Sequence, residues 1–239
     1  WRFNGSSWSS MPGTKQRYCK IFNIVQSTTP QGWWVSGMVE ARASSGGWIY
    51  CSNWTSEIFN KDQWNDGPAY PGADTAPSWC SVQLNSTHTI FVDKRVWIYD
   101  SSTDTWTETE PMKVPRNSKA CLRTSDGGVL VFSGYNGNLG GPLYAVDRYN
   151  PETRSWSKEP DVPRNIIGND PVWMIIVGQG NGVTYFLVRG QSKIYQRNEK
   201  DGQWSVLQGV NLPEAFGGYN LKYGTDKAFM VPDNFVTCV

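Results

Sequence analysis

Histidine is nearly absent from this chain, with His88 alone among 239 residues. That scarcity limits the metal chemistry available, because zinc and copper sites draw on imidazoles and clustered thiolates. The five cysteines, Cys19, Cys51, Cys80, Cys121 and Cys238, form no Cys-X-X-Cys pair and no Cys/His cluster. Excess charge is missing too: 22 basic against 21 acidic residues leave +1, no electrostatic case for nucleic acid or an anionic membrane. No apolar run approaches the ~18–20 residues of a membrane helix, so membrane insertion is not expected. No Gly-X-Ser-X-Gly element accompanies His88, which stands in Ser86-Thr87-His88-Thr89, so a nucleophilic triad lacks its other parts. No cofactor and no metal are expected.

What the chain does have is punctuation. Between Pro115 and Pro163 the turns Ser125-Asp126-Gly127-Gly128 and Asn150-Pro151-Glu152-Thr153 bracket the β-rich runs Val129–Phe132 and Leu143–Tyr149. A Gly/Asn loop from Asn136 to Gly141 separates those runs, and a short strand follows around Trp156. Strand runs broken by Asp-Gly, Asn-Gly and Asn-Pro turns predict a four-stranded antiparallel meander without helical period. The stretch resembles a kelch repeat through Arg116, Gly134, Tyr149 and Trp156. It departs in one place: the family's two adjacent glycines after the second strand are Ser133-Gly134 here.

The pattern of an aromatic, a turn, Trp and then Pro recurs. It reads Phe3…Trp8…Pro12, Phe59…Trp64…Pro68, Tyr99…Trp106…Pro111, Tyr149…Trp156…Pro160 and Tyr195…Trp204…Pro213. Successive Trp spacings of 56, 42, 50 and 48 residues match the length of a four-stranded propeller blade. The N-terminal segment holds only the end of a unit and the C-terminal segment only the beginning. The expected fold is therefore all-β: a five-bladed β-propeller of four-stranded antiparallel blades over residues 1–239, a single domain. The terminal strands would share one blade and so leave no open edge.

Opening on Trp1 instead of Met fits a processed, secreted chain. The sequons Asn4-Gly5-Ser6, Asn53-Trp54-Thr55 and Asn85-Ser86-Thr87 make Asn4, Asn53 and Asn85 candidate glycosylation sites. In an oxidising compartment the five cysteines allow two bridges and an odd thiol, available for an intermolecular disulfide. The plainer reading is small buried residues on inner strands. Pairing cannot be read from spacing.

The resemblance also bears on activity. Some kelch-like propellers are copper radical oxidases of the galactose oxidase type, whose copper needs two His ligands, a Tyr and a Cys-linked Tyr. One histidine cannot supply them. Five-bladed glycosidases gather carboxylates at the funnel centre, whereas Asp100, Asp104, Asp126, Glu152 and Asp201 sit in turns and serve turn chemistry. The chain is accordingly read first as a non-catalytic, extracellular recognition module, with a protein partner as the leading ligand. Three alternatives stay open: a glycan-binding lectin, a small-molecule or pigment binder using the surplus of the 13 tryptophans, and, last in order, a secreted enzyme.

Kelch proteins hold acidic partners with arginines at the entry to the first strand, which implies such a role for Arg17, Arg116 and Arg164. The competing reading pairs these arginines with blade carboxylates. The loop carrying Tyr135, Asn136 and Asn138 completes the expected binding face, because Gly/Asn composition lets backbone approach a partner. Trp54, in a Ser52–Ser56 connection, is the stacking candidate; a glycan on Asn53 would compete with it.

Overall fold

The computed structural model describes residues 2–3, 8–9, 18–28, 31–42, 49–60, 63–68, 70–71, 80–116, 120–139, 141–167, 174–188, 191–211, 229–231 and 235–237. The chain divides into two compact units, Trp1–Thr109 and Glu110–Val239.

The first unit opens with β1 (Arg2–Phe3) and β2 (Trp8–Ser9), paired with each other. Two four-stranded sheets follow. One holds β3 (Tyr18–Thr28), β4 (Gln31–Arg42), β5 (Ile49–Asn60) and β6 (Gln63–Asp66) in chain order. The other holds β7 (Cys80–Gln83), β8 (His88–Val92), β9 (Val96–Asp100) and β10 (Thr105–Thr109), also in order. Every pairing is antiparallel, as short turns between neighbouring strands require.

The second unit repeats that plan. Its first sheet is β11 (Ala120–Arg123), β12 (Val129–Phe132), then β13 (Tyr135–Asn136) and β14 (Gly141–Pro142) as a two-stranded side hairpin, then β15 (Val146–Asn150) and β16 (Ser155–Glu159). A single helical turn, α1 (Arg164–Ile167), leads to β17 (Met174–Gly180), β18 (Val183–Val188), β19 (Lys193–Asn198) and β20 (Trp204–Asn211). β21 (Phe229–Val231) and β22 (Phe235–Thr237) pair with each other. The structure is thus all-β, built of four-stranded antiparallel meanders.

The core of the second unit lies between its two sheets. Leu122, Leu130, Phe132 and Val146 of one pack with Met174, Phe186, Val188 and Tyr195 of the other, and Phe132 meets Phe186 edge-on at 5.0 Å. All four residues of β12 are buried, which is why that run reads as continuous Val/Leu/Phe instead of alternating. In the first unit Trp106 packs against Tyr70, Phe91 and Tyr99, with ring centroids at 4.9–5.5 Å. The expected equivalence of Trp106 and Trp156 holds in register: Tyr99 lies opposite Trp106 and Tyr149 opposite Trp156. Both indoles are half-buried.

The turn before each Trp is built three times in one way. Asp100, Asn150 and Asn198 each accept, through Oδ1, the backbone N–H two residues on, at 2.8–2.9 Å. Four residues after each, the chain turns left-handed at Asp104 (φ 53°), Arg154 (φ 53°) and Gly202 (φ 71°). The Asx turn supplies the reversal and the positive φ closes it.

Two expectations are corrected. Ser52–Ser56 is no connection: it lies inside β5, with Trp54 opposite Met38. Its serines and asparagine read as turn formers, but β4 pairs along the whole segment and a bulge at Met38/Val39 absorbs the irregularity. The residue facing Trp204 is Arg197, not Tyr195, which lies opposite Val206.

Candidate functional site

The β12–β15 connection is the longest within the described sheet of β11, β12, β15 and β16. Its entry explains the departure at Ser133. Ser133 takes a left-handed conformation (φ 52°) and Gly134 follows at φ 112°, so both positions adopt glycine-type backbone. The serine offsets that strain with hydrogen bonds: its N–H to Ala145 O at 2.9 Å and its hydroxyl to Leu143 O at 3.0 Å. Leu143 N–H closes the loop onto Gly134 O at 2.8 Å.

Asn136 organises the tip. Its Oδ1 accepts the N–H groups of Asn138 and Leu139 at 2.9 and 3.1 Å, and its Nδ2 donates to Pro115 O at 2.6 Å. The side chain is spent on holding the loop and is not offered to a ligand. What the loop offers is apolar. Tyr135 and Leu139, 41% and 63% exposed, are the exposed large hydrophobics among the described residues. Asn138 is exposed beside them.

The arginines separate into two kinds. Arg116 has a side chain with no solvent exposure; Nη1 pairs with Asp147 and Nη2 donates to Val131 O at 2.9 Å. It binds its own sheet, and the expectation that it meets a ligand is corrected. Its partner lies 31 residues away, so only the folded register brings carboxylate and guanidinium together. Arg164 is exposed at the start of α1, its Cζ 4.8 Å over the Tyr144 ring. Tyr144 O accepts from Val162 N–H at 2.8 Å, which seats the segment leading to Arg164 beside the loop's return strand. Arg17 and the side chains of Asn4, Asn53 and Trp54 lie outside the described residues.

Elsewhere in this unit, charge ties the two sheets together. Glu159 accepts from Arg197 at 3.3 Å and lies 3.7 Å from Arg148, which also pairs with Asp126. Arg197 is almost fully buried, and desolvation lowers its pKa against the opposing pull of Glu159 and Glu199. In the first unit His88 Nε2 stands 3.7 Å from Asp100, and its Nδ1 lies 2.8 Å from the Thr87 hydroxyl. Among the described residues no three His, Cys, Asp or Glu gather as a metal site. Nor is any helix among them long and apolar enough to cross a membrane. Cys80 and Cys121 are half-cystines.

The surface that emerges is Tyr135, Asn138 and Leu139 on one loop with Tyr144 and Arg164 at its root. The loop and Arg164 are positions that the sequence also singles out. The weight of Leu139 and the role of Tyr144 are not, since composition alone carries no signal for them.

No curated protein matches the sequence. Among solved structures the chain is similar to YjhT, at 15% identity and TM-score 0.58, covering 87% of this chain and 70% of that one. It is also similar to a fungal alcohol oxidase described as having catalytic diversity among the AA5 family, solved in complex with copper. There the identity is 16% and the TM-score 0.56, over 87% of this chain but 45% of the oxidase, less than half its length. At such identities the likeness is one of fold. Residues 117–163 match the Kelch motif, and the strands of that matched segment are β11, β12, β15 and β16.

Proposed function

We propose that the chain is an extracellular recognition module that docks a protein partner on the loop carrying Tyr135 and Leu139, with Arg164 holding an acidic group at its edge. The observation that carries the reading is the pair of large apolar side chains left in solvent on a loop whose backbone is fixed by Asn136. Fixed loops lose little entropy on binding, and exposed aromatic or aliphatic anchors are what interfaces bury. Arg164 adds direction: stacked on Tyr144, it presents its planar fork for bidentate contact with a carboxylate. The half-cystines support an oxidising compartment.

The test is Leu139→Asp, assayed for recovery of the native partner by crosslinking and mass spectrometry from extracellular fluid. Loss of that partner with an unchanged melting temperature supports the reading, and an unaffected complex overturns it.

We further propose the five-bladed ring that the tryptophan spacing predicts, with the two ends of the chain completing one blade. Deleting residues 1–11 should then lower the melting temperature markedly, since it leaves strand edges unpaired. An unchanged melting temperature would sink the ring.

A further inference from the structure

The β7–β8 turn carries one of the three sequons, and its geometry is specific. Asn85 is exposed, and its Oδ1 is the hub of the turn. It accepts from Thr87 N–H at 2.9 Å, His88 N–H at 2.8 Å and the Thr87 hydroxyl at 3.3 Å. The backbone closes underneath through Leu84 N–H to His88 O at 2.8 Å. Every one of these contacts uses Oδ1 or backbone. Nδ2 takes part in none of them, so the turn holds its shape without the atom that a glycan would occupy.

We propose that Asn85 is an N-glycan acceptor and that the folded turn carries the sugar without rearrangement. In the transfer, Nδ2 attacks C1 of a lipid-linked oligosaccharide diphosphate. The N–C1 bond forms, the bond from C1 to the phosphate oxygen breaks, the lipid diphosphate leaves, and one Nδ2 proton passes to the transferase. No oxidant or reductant is needed. The product amide keeps Oδ1 as an acceptor, so the contacts to Thr87 and His88 survive. The Thr87 hydroxyl, which is the hydroxyl of the sequon, sits beside this amide, 3.3 Å from Oδ1 and 2.8 Å from His88 Nδ1.

The position also decides what the glycan would cover. Ser101 N–H donates to Thr87 O at 2.9 Å, so the β9–β10 turn lies against the sequon. The sugar would therefore shade the end of this sheet bearing the β7–β8 and β9–β10 turns. It would leave the β8–β9 end, where Asp93 N–H bonds to Arg95 O, clear.

The proposal rests on the extracellular reading above, and the experiment separates the two. The full chain is passed through a eukaryotic secretory pathway behind an attached leader, so native targeting does not enter. Purified protein is treated with peptide N-glycosidase in heavy-oxygen water and digested, and the peptide spanning Asn85 is weighed. The expected result is conversion of Asn85 to labelled Asp, lost in Thr87→Ala and kept in Thr87→Ser. Thr87→Ala retains both backbone donors to Oδ1, so it should fold as wild type does by circular dichroism. Asn85→Gln serves as a second variant. An unlabelled Asn85 in secreted, folded protein overturns the site. A labelled Asn85 in that protein, with the native chain found only in cytosol, would instead overturn the extracellular reading.

Discussion

Arg197 stands opposite Trp204 across β19 and β20, the place that Tyr149 takes opposite Trp156 and Tyr99 opposite Trp106. A guanidinium has replaced a phenol ring. The long apolar stem makes the exchange workable, and the guanidinium finds both Glu159 at 3.3 Å and the face of Phe132, 5.7 Å away. The Phe132, Phe186 and Trp204 rings surround the same place, with centroids 4.8–6.0 Å apart.

Truncation and replacement at Arg197 should therefore differ. Arg197→Ala removes the bulk and leaves Glu159 without its nearer partner, a loss of about 3 kcal/mol by the usual cost of such cavities and broken pairs. Arg197→Tyr restores the arrangement of the neighbouring sheets and should cost no more than about 1.5 kcal/mol, as volume-conserving exchanges do. Urea unfolding midpoints read the two. Equal damage from both would show that the charge, and not the packing, is what the site requires.

The turns before the tryptophans make a second comparison. Gly202 lies at φ 71°, and a Cβ there would come within 3.0 Å of Arg197 Nη2. Gly202→Ala should cost about 1–2 kcal/mol for the left-handed backbone alone. Arg154, at φ 53°, already bears that strain, so Arg154→Gly should be neutral or stabilise slightly. Opposite signs in thermal melts are expected, and two destabilised variants would break the equivalence of the turns.

Much of this was legible beforehand. Turn chemistry and Trp spacing located the strands of the 117–163 repeat, because Asx turns and positive-φ residues act over a few positions of chain. Arg197 was hidden for a different reason. The aromatic that completes the pattern there is Tyr195, nine residues before Trp204, whereas Tyr99 and Tyr149 each precede their tryptophan by seven. Counting position instead of residue type would have found it. The burial of Arg116 had no such signal, since Asp147 and Val131 reach it only through the folded register. Trp54 was misplaced because Ser and Asn in β5 mimic a turn when the pairing along β4 is not known.

Acid should act through Asp126. Its carboxylate accepts from the Thr124 hydroxyl at 2.5 Å and the Gly128 N–H at 3.3 Å, and pairs with Arg148, which together hold its pKa below the ordinary value of 3.8. Between the folded and unfolded pKa values the unfolded chain binds more protons, so stability rises with pH. The contribution is present above the ordinary carboxylate value and disappears as pH falls through the folded one. Melting temperatures of wild type and Asp126→Asn should stay apart near neutrality and converge in strong acid. A gap that persisted at the lowest pH would assign the difference to something other than ionisation.

Arg116 and Arg164 occupy corresponding entries to successive sheets and should respond in opposite assays. Arg116 is fully enclosed, and its two terminal nitrogens serve different acceptors, the Asp147 carboxylate and the Val131 carbonyl. Lysine has one ammonium and cannot reach both in a fixed fork, so Arg116→Lys should cost about 2–4 kcal/mol of stability through the buried group left unsatisfied. Arg164 lies in solvent over Tyr144, and Arg164→Ala should leave stability within about 0.5 kcal/mol of wild type, as surface changes do. Its effect should appear in binding instead. Affinity for the partner protein should fall several-fold at low salt, and the difference should shrink at high salt, where an exposed ion pair is screened. The pair of variants, measured by urea unfolding and by calorimetric titration at two ionic strengths, separates folding from recognition. An Arg164→Ala variant that binds as wild type does at low salt would leave the apolar loop of Tyr135 and Leu139 as the whole of the docking surface.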